Sequence, residues 1–281
     1  MSIIKKLREY LNRPLSFVMF LLIIISTVIT ALTVVFIIGY IFIKGVPNLS
    51  LDLFSLKYSS SNQSMLPSII NTVYLTALTL LLSVPIGIFS AIYLAEYSRK
   101  NSFFVKIINI ANETLSGIPS IVYGLFGFLA FVISKKWGYS LLAGVVTLAI
   151  MVLPLIIRTS QEAMLGVDNT FREASYGLGA GKLRTVFKIV LPSAMPGILS
   201  GIILAIGRIV GETAALIYTA GTVPEAATKL TSSSRTISVH LYCLLNEGLY
   251  TEQAYATAVV LIVFVVIINA LSNALAKKIM K

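Results

Sequence analysis

Arg208 and Glu212 stand well inside a long apolar run, 192–220. A charge near the centre of a bilayer costs about 2.5–3.5 kcal/mol on insertion scales, so two of them in one run require an explanation. Four residues apart on one helix, they share a face and are spaced to pair. Arginine also presents a planar fork of donors that matches an oxyanion such as phosphate. Two readings stay open. In one, the pair is a neutralised lock between packed helices. In the other, Arg208, Glu212 and the adjacent Thr213 line or gate an anion path, with Glu212 restraining Arg208. Gly211 beside Glu212 could break the helix, and broken helices expose polar backbone to a substrate.

A second stretch, 173–192, reads EASYGLGAGKLRTVFKIVLP and lies between apolar runs while being mostly not apolar itself. Glu173 and Ala174 open it, Gly177 and Gly179 sit in its middle, and Ile189, Leu191 and Pro192 close it after the basic Lys182, Arg184 and Lys188. Glycine permits the backbone of a tight turn, and proline lacks a donor that the first turn of a helix does not need. The order therefore predicts a short helix, a glycine turn, a second short basic helix and a proline that restarts a membrane helix. A compact, turned, polar element of this kind suits the docking of a soluble partner.

Other chemistry is poorly served. There is no nucleophile motif and no G-x-x-x-x-G-K-[ST] phosphate loop, so no catalytic residue is expected and the chain is not itself an ATPase. The single cysteine, Cys243, rules out an intrachain disulfide, and the single histidine, His240, argues against a His-rich metal site.

The elements that must position these residues follow from composition. Of 281 residues, 57% are hydrophobic and only 12% charged, with a mean hydropathy of +0.92. Charged residues make up about a quarter of an ordinary soluble chain. The fold class expected is an all-α, polytopic transmembrane bundle. A net charge of +11 would suggest nucleic acid in a soluble domain. Here the basic residues flank apolar runs, so no nucleic acid partner is expected.

A membrane helix needs about 20 apolar residues. Six spans are expected, at 16–43, 68–94, 115–133, 141–157, 192–220 and 254–276. Pro85 and Gly87 predict a kink in the second. Gly117, Pro119, Gly124 and Gly127 predict tight packing or a bend in the third. In the fifth, Ser193, Gly197, Gly201, Ala205, Arg208, Glu212, Ala215 and Thr219 fall on one stripe of a single helix. Gly197, Gly201 and Ala205 on that stripe allow close helix packing. His240 is expected on an external amphipathic helix. The chain divides into 1–67 (an N-terminal cytoplasmic segment, the first span and an external loop), 68–276 (the transmembrane domain, with its cytoplasmic loop at 161–192) and 277–281 (a short basic tail).

Six spans put both termini on one side. Apart from Arg208, fifteen Lys and Arg residues fall on that side and six on the other. Lysine and arginine favour the cytoplasmic face, so the termini and the 161–192 loop are expected there.

The 173–192 stretch resembles the EAA loop of permease subunits of bacterial ATP-binding-cassette importers. That pattern is Glu-Ala-Ala, three residues, Gly, nine residues, Ile, one residue, Leu-Pro. Glu173, Ala174, Gly179, Ile189, Leu191 and Pro192 match in register, and Ser175 replaces the third small residue. The run from Arg208 through Gly211, Glu212, Thr213 and Ala214 resembles phosphate importer permeases, as do 71–97 and 117–127. The continuation to Ala220 is closer to the PstA-type permease than to its PstC-type partner. The resemblance implies a type I importer permease fold in a bacterial inner membrane. It also implies an ATP-driven import of inorganic phosphate by alternating access. The partners implied are a second, PstC-like permease, a cytoplasmic PstB-like ATPase dimer holding ATP and Mg2+, an external PstS-like phosphate-binding protein, and the surrounding lipid. This chain would bind no cofactor of its own. An importer permease for molybdate or sulfate, or the PstC-type partner, are the alternatives.

Overall fold

The computed structural model describes residues 14–98 and 102–279. Several basic residues used for orientation, among them Arg13, Arg99, Lys100 and Lys281, lie outside the described residues. The described chain folds as α-helices with short 3-10 and π-type turns and no strand. In order the helices are α1 (Pro14–Gly45), α2 (Leu66–Tyr97), α3 (Phe103–Gly117), α4 (Ser120–Ser134), α5 (Leu141–Leu165), α6 (Asn169–Gly177), α7 (Lys182–Gly211), α8 (Ala214–Thr219), α9 (Ile237–Glu247) and α10 (Thr251–Ile279).

Five of these, α1, α2, α5, α7 and α10, are long and apolar enough to cross a membrane. The bent pair α3–α4 makes up to a sixth, its two halves turned by 101°. The third span thus has the bend that Gly117 and Pro119 allow, but it begins at Phe103, well before the start expected at 115. Ile118 precedes Pro119, whose ring disfavours helical backbone in the residue before it. Ile118 is accordingly extended, and α4 starts afresh after Pro119. The Tyr123 hydroxyl donates to the Leu115 carbonyl at 2.7 Å and braces the corner. Asn109, Asn112 and Glu113 form a polar side of α3. They line a cleft of about 200 Å³ with Arg158 and Glu162 of α5.

The core is built around α5. In its most apolar stretch 61% of residues are buried, against none in that of α1. Leu148, Met151, Val152 and Ile156 of α5 pack with Leu75 of α2, Ile209 of α7 and Leu216 of α8. Helix α2 runs through Pro85 without a break, and a Cβ on Gly87 would come within 2.6 Å of the Ile156 side chain. Gly124 brings α4 onto the backbone of α8, where an added Cβ would stand 2.8 Å from the Ala215 Cα. Most of the surface of α1 is exposed apolar side chain, as a helix facing lipid or another membrane subunit requires.

Two boundaries in the second half of the chain differ from expectation. The fifth span starts at Lys182, not at Pro192, because the basic segment is its first turns. A π-type turn at Val186–Val190 precedes Pro192, so the proline continues the helix and does not restart it. At its other end α7 stops at Gly211. The remaining residues to 220 form the separate short α8. The stripe drawn through Glu212, Ala215 and Thr219 thus does not exist as one helix face.

Candidate functional site

Two regions hold the residues singled out above, and they sit at opposite ends of α7. The first is the loop from α5 through α6 to the start of α7. Asp168 caps α6: its carboxylate accepts from the Thr170 amide and hydroxyl, both at 2.9 Å. Those two bonds, the backbone one first, hold the carboxyl below its usual range. Helix α6 ends in a Schellman motif. The Ala180 amide donates to the Ser175 carbonyl at 3.1 Å and the Gly179 amide to the Tyr176 carbonyl at 2.9 Å. Gly179 sits at φ +80°, which is why the turn needs glycine there. Gly177 is right-handed helix with open space around it, so nothing local demands glycine at that position.

Two side chains tie α6 to the body. Ser175, the departure from the Glu-Ala-Ala pattern, is buried and shares a hydrogen bond with the Thr185 hydroxyl at 2.8 Å. Arg172 reaches Glu96 in the last turn of α2, with Nη2 at 2.6 Å and Nε at 3.1 Å from Oε1. It also donates to the carbonyls of Met164 at 2.9 Å and Val167 at 2.7 Å. Sequence reasoning missed this pair. Its members are 76 residues apart, and neither stands out within its own run.

The outer face of α6 is free. Glu173, Ala174, Gly177 and Gly179 are exposed, and Glu173 makes no ion pair among the described residues. Phe171, Tyr176, Leu178 and Leu183 add exposed apolar surface, with Leu178 at 89% exposure. Ile189 lines a shallow cavity of about 280 Å³ with Ser175, Leu178, Gly179, Arg184 and Lys188. Leu191 packs on the cluster of Ile92, Met164, Val186 and Val190 beneath the loop, while Pro192 is exposed. The result is a small, half-apolar, half-basic knob with a defined backbone, raised on two polar struts.

The second region is the break after α7. Arg208 lies half-buried in the last turn of α7, close enough to Tyr123 to act on it electrostatically. The ion pairs among the described residues are Arg158–Glu162 and Arg172–Glu96, so the expected Arg208–Glu212 pair does not form. The helix ends between them. Glu212 is extended at ψ 132°, and its Oε1 accepts from the Ala215 amide at 3.1 Å. A carboxylate on the first amides of a helix is favourably placed for its charge. The Ser238 hydroxyl of α9 donates to the Glu212 carbonyl at 2.6 Å and fixes the break from the far side. Thr213 is half-buried, and its carbonyl accepts from Leu216 and Ile217 at the start of α8. Among the described residues Arg208 is thereby left without a carboxylate, at a point where the main chain leaves the helix.

The small residues on α7 face α5. A Cβ on Gly197 would come within 2.6 Å of the Ala163 side chain, and one on Gly201 would run into the Thr159 side chain. Ala205 is buried in the main core.

Comparison with known proteins adds three findings. Residues 83–281 match the family described as binding-protein-dependent transport system inner membrane component. Among curated proteins, the chain is 32% identical over 249 residues to a probable ABC transporter permease protein, YqgI, of Bacillus subtilis, covering 82% of this chain and 84% of that one. It is 35% identical over 218 residues to the phosphate transport system permease protein PstA of Haemophilus influenzae, covering 77% of each. The protein of the same name from Yersinia pestis is 33% identical over 240 residues, covering 84% of this chain and 81% of that one. Among solved structures, a bacterial ABC transporter involved in alginate import matches with a TM-score of 0.67 over 99% of this chain and all of that one. The MetNI methionine transporter in an inward-facing form matches with a TM-score of 0.58 over 76% of this chain and 94% of that one. At 18% and 17% identity these two speak to the fold alone, and that fold is the type I importer permease expected from the sequence.

Proposed function

The chain belongs to the family of binding-protein-dependent transport system inner membrane components, and on that footing we propose that it is the PstA-type permease subunit of an ATP-driven importer of inorganic phosphate. The phosphate permeases named above, similar over about four-fifths of both chains, support the substrate. The observation that carries the reading in this molecule is Arg208, half-buried and without a carboxylate partner among the described residues, beside the break at Glu212. Its fork of donors is free to meet an oxyanion, and the neighbouring carboxylate is already engaged elsewhere.

On this reading the α6 knob docks a PstB-like ATPase dimer, which holds ATP and Mg2+. A second, PstC-like permease completes the membrane pathway, and a PstS-like binding protein delivers phosphate from outside. Closure of the ATPase dimer moves α6, and the spans reopen outward. Lys182, Arg184 and Lys188 lie at the loop end of α7, and the excess of basic residues there supports a cytoplasmic loop and cytoplasmic termini. A reporter active only inside, fused at Lys182, and one active only outside, fused at Lys229, should both give signal. Silence from either contradicts the orientation.

The test of function is loss and return of uptake. Cells lacking this chain should lose ATP-dependent uptake of labelled phosphate and regain it from a plasmid copy. Unchanged phosphate uptake together with lost molybdate or sulfate uptake would assign the chain to another oxyanion.

A further inference from the structure

Helix α2, like α5 and α7, reaches both functional regions, and it is held at each by polar side chains largely shielded from water. At the loop end, Glu96 holds Arg172 of α6, with side-chain exposures of 6% and 13%. The same arginine is bonded to the carbonyls of Met164 and Val167 at the end of α5. Beside it, Lys182 at the start of α7 lies over the Tyr97 ring, 4.9 Å from its centre. At the far end of α2, Asn71 is fully buried and clasps the long connection between α8 and α9. Its Nδ2 donates to the carbonyls of Glu225 at 3.0 Å and Arg235 at 3.1 Å, and its Oδ1 accepts from the Ala227 amide at 2.8 Å. Thr72 next to it accepts from the Ile237 amide at 3.0 Å. One residue further, Ser238 holds the Glu212 carbonyl at the break.

Resting on the permease reading above, we propose that α2 is the rod that transmits movement of the docked loop to the break at Glu212, with Glu96 and Arg172 as its input joint and Asn71 and Thr72 as its output joint. These four are positioning residues; none needs to touch phosphate. The physical case is one of attachment. The outer face of α6 is exposed, so a push on it passes inward through its two struts, Arg172 to α2 and α5 and Ser175 to α7. Asn71 and Glu96 lie 25 positions apart, so the rod between the joints is about 37 Å long at the helical rise. A charged pair shielded from water resists separation, because parting it strands two charges. Three hydrogen bonds from one buried asparagine leave the far connection little freedom to slide on α2. A movement of Glu96 along the helix axis is thus delivered to 235–238 and from there to Glu212.

The test is a double-mutant cycle on the complete reconstituted importer, reading phosphate imported per ATP hydrolysed and copurification of the ATPase. Glu96→Gln and Asn71→Ala should each leave the ATPase bound and active while lowering phosphate imported per ATP by about tenfold, and the double variant should be no worse than the poorer single by more than about twofold. Sites this far apart act additively when each merely supports its own surroundings, so a double variant whose losses multiply overturns the rod. Unchanged coupling in either single variant overturns it as well. If Glu96→Gln or Asn71→Ala fails to assemble, Glu96→Asp and Thr72→Val take their places with the same expectations. The wild-type complex separates this proposal from the one it rests on. Without phosphate import by the wild type, the permease reading fails; with it, additive losses sink the rod alone.

Discussion

Glu212 reaches forward to the amide of Ala215, 3.1 Å from its Oε1, and not back to Arg208. That single bond changes what the two charged residues of the fifth span are for. The carboxylate caps a short helix and shapes the break, while the guanidinium one turn earlier keeps its donors. The spacing of four implied a pair only as long as one helix contained both, and Gly211 ends that helix.

Arg208→Gln is expected to cut phosphate uptake at least about tenfold with the complex still assembling, since one good charge-assisted contact is worth about 1.5–3 kcal/mol. Arg208→Lys should recover part of the loss, because it keeps the charge but not the fork. Since no ion pair links the two residues, combining Arg208→Gln with Glu212→Gln should not restore uptake. Rescue in the double variant would mean that the pair forms in the working complex. Labelled uptake with copurification as the assembly control decides between them.

The loop glycines should behave differently from each other. Gly179 is left-handed at φ +80°, where an ordinary L-residue costs about 1–2 kcal/mol. Gly179→Val should therefore disturb the knob and weaken retention of the ATPase on detergent-solubilised complex. Gly177→Ala, in open right-handed helix, should retain the ATPase as well as the wild type does. Equal retention in both variants would show that the Schellman turn does not set the docking surface.

His240 supplies a pH dependence, and it is the only histidine in the chain. It is fully buried on α9, outside the long spans. Burial first, and then the charge of Arg235, push its pKa down to about 3 from an ordinary 6.5. As pH falls below 6.5, the unfolded chain takes up a proton that the folded chain refuses until about pH 3. Stability is therefore flat above the unfolded value and declines through that window, by at most about 1.4 kcal/mol per pH unit. Thermal unfolding midpoints at pH 7.5 and 5.5 should differ more for the wild type than for His240→Leu. An equal drop in both would remove His240 as the cause.

Much of this was legible in the sequence because membrane insertion writes long apolar runs. The spans at α1, α2, α5 and α10 follow from hydropathy alone, and Gly179 follows from turn chemistry. What hydropathy could not show was where an apolar run stops being one helix. The bend at Ile118–Pro119 and the break at Gly211–Glu212 both lie within or beside apolar sequence; Pro119 and Gly211 mark them as places where a helix can bend or break, and the hydrogen bonds of Tyr123 to Leu115 and of Ser238 to Glu212 brace them. The start of α7 differs for the opposite reason: the basic stretch from Lys182 to Lys188, expected as a separate short helix before the span, is the span's first turns. The Arg172–Glu96 and Asn71 contacts are long-range pairings with no local signature.

The most direct measurement is uptake by proteoliposomes holding this chain, its partner permease and the ATPase dimer, supplied with the phosphate-binding protein. Labelled phosphate should accumulate only with ATP inside the compartment that faces the α6 loop, and excess unlabelled sulfate or molybdate should not reduce it. Accumulation of sulfate or molybdate in place of phosphate, or no ATP-dependent accumulation of phosphate by an assembled complex, would contradict the assignment.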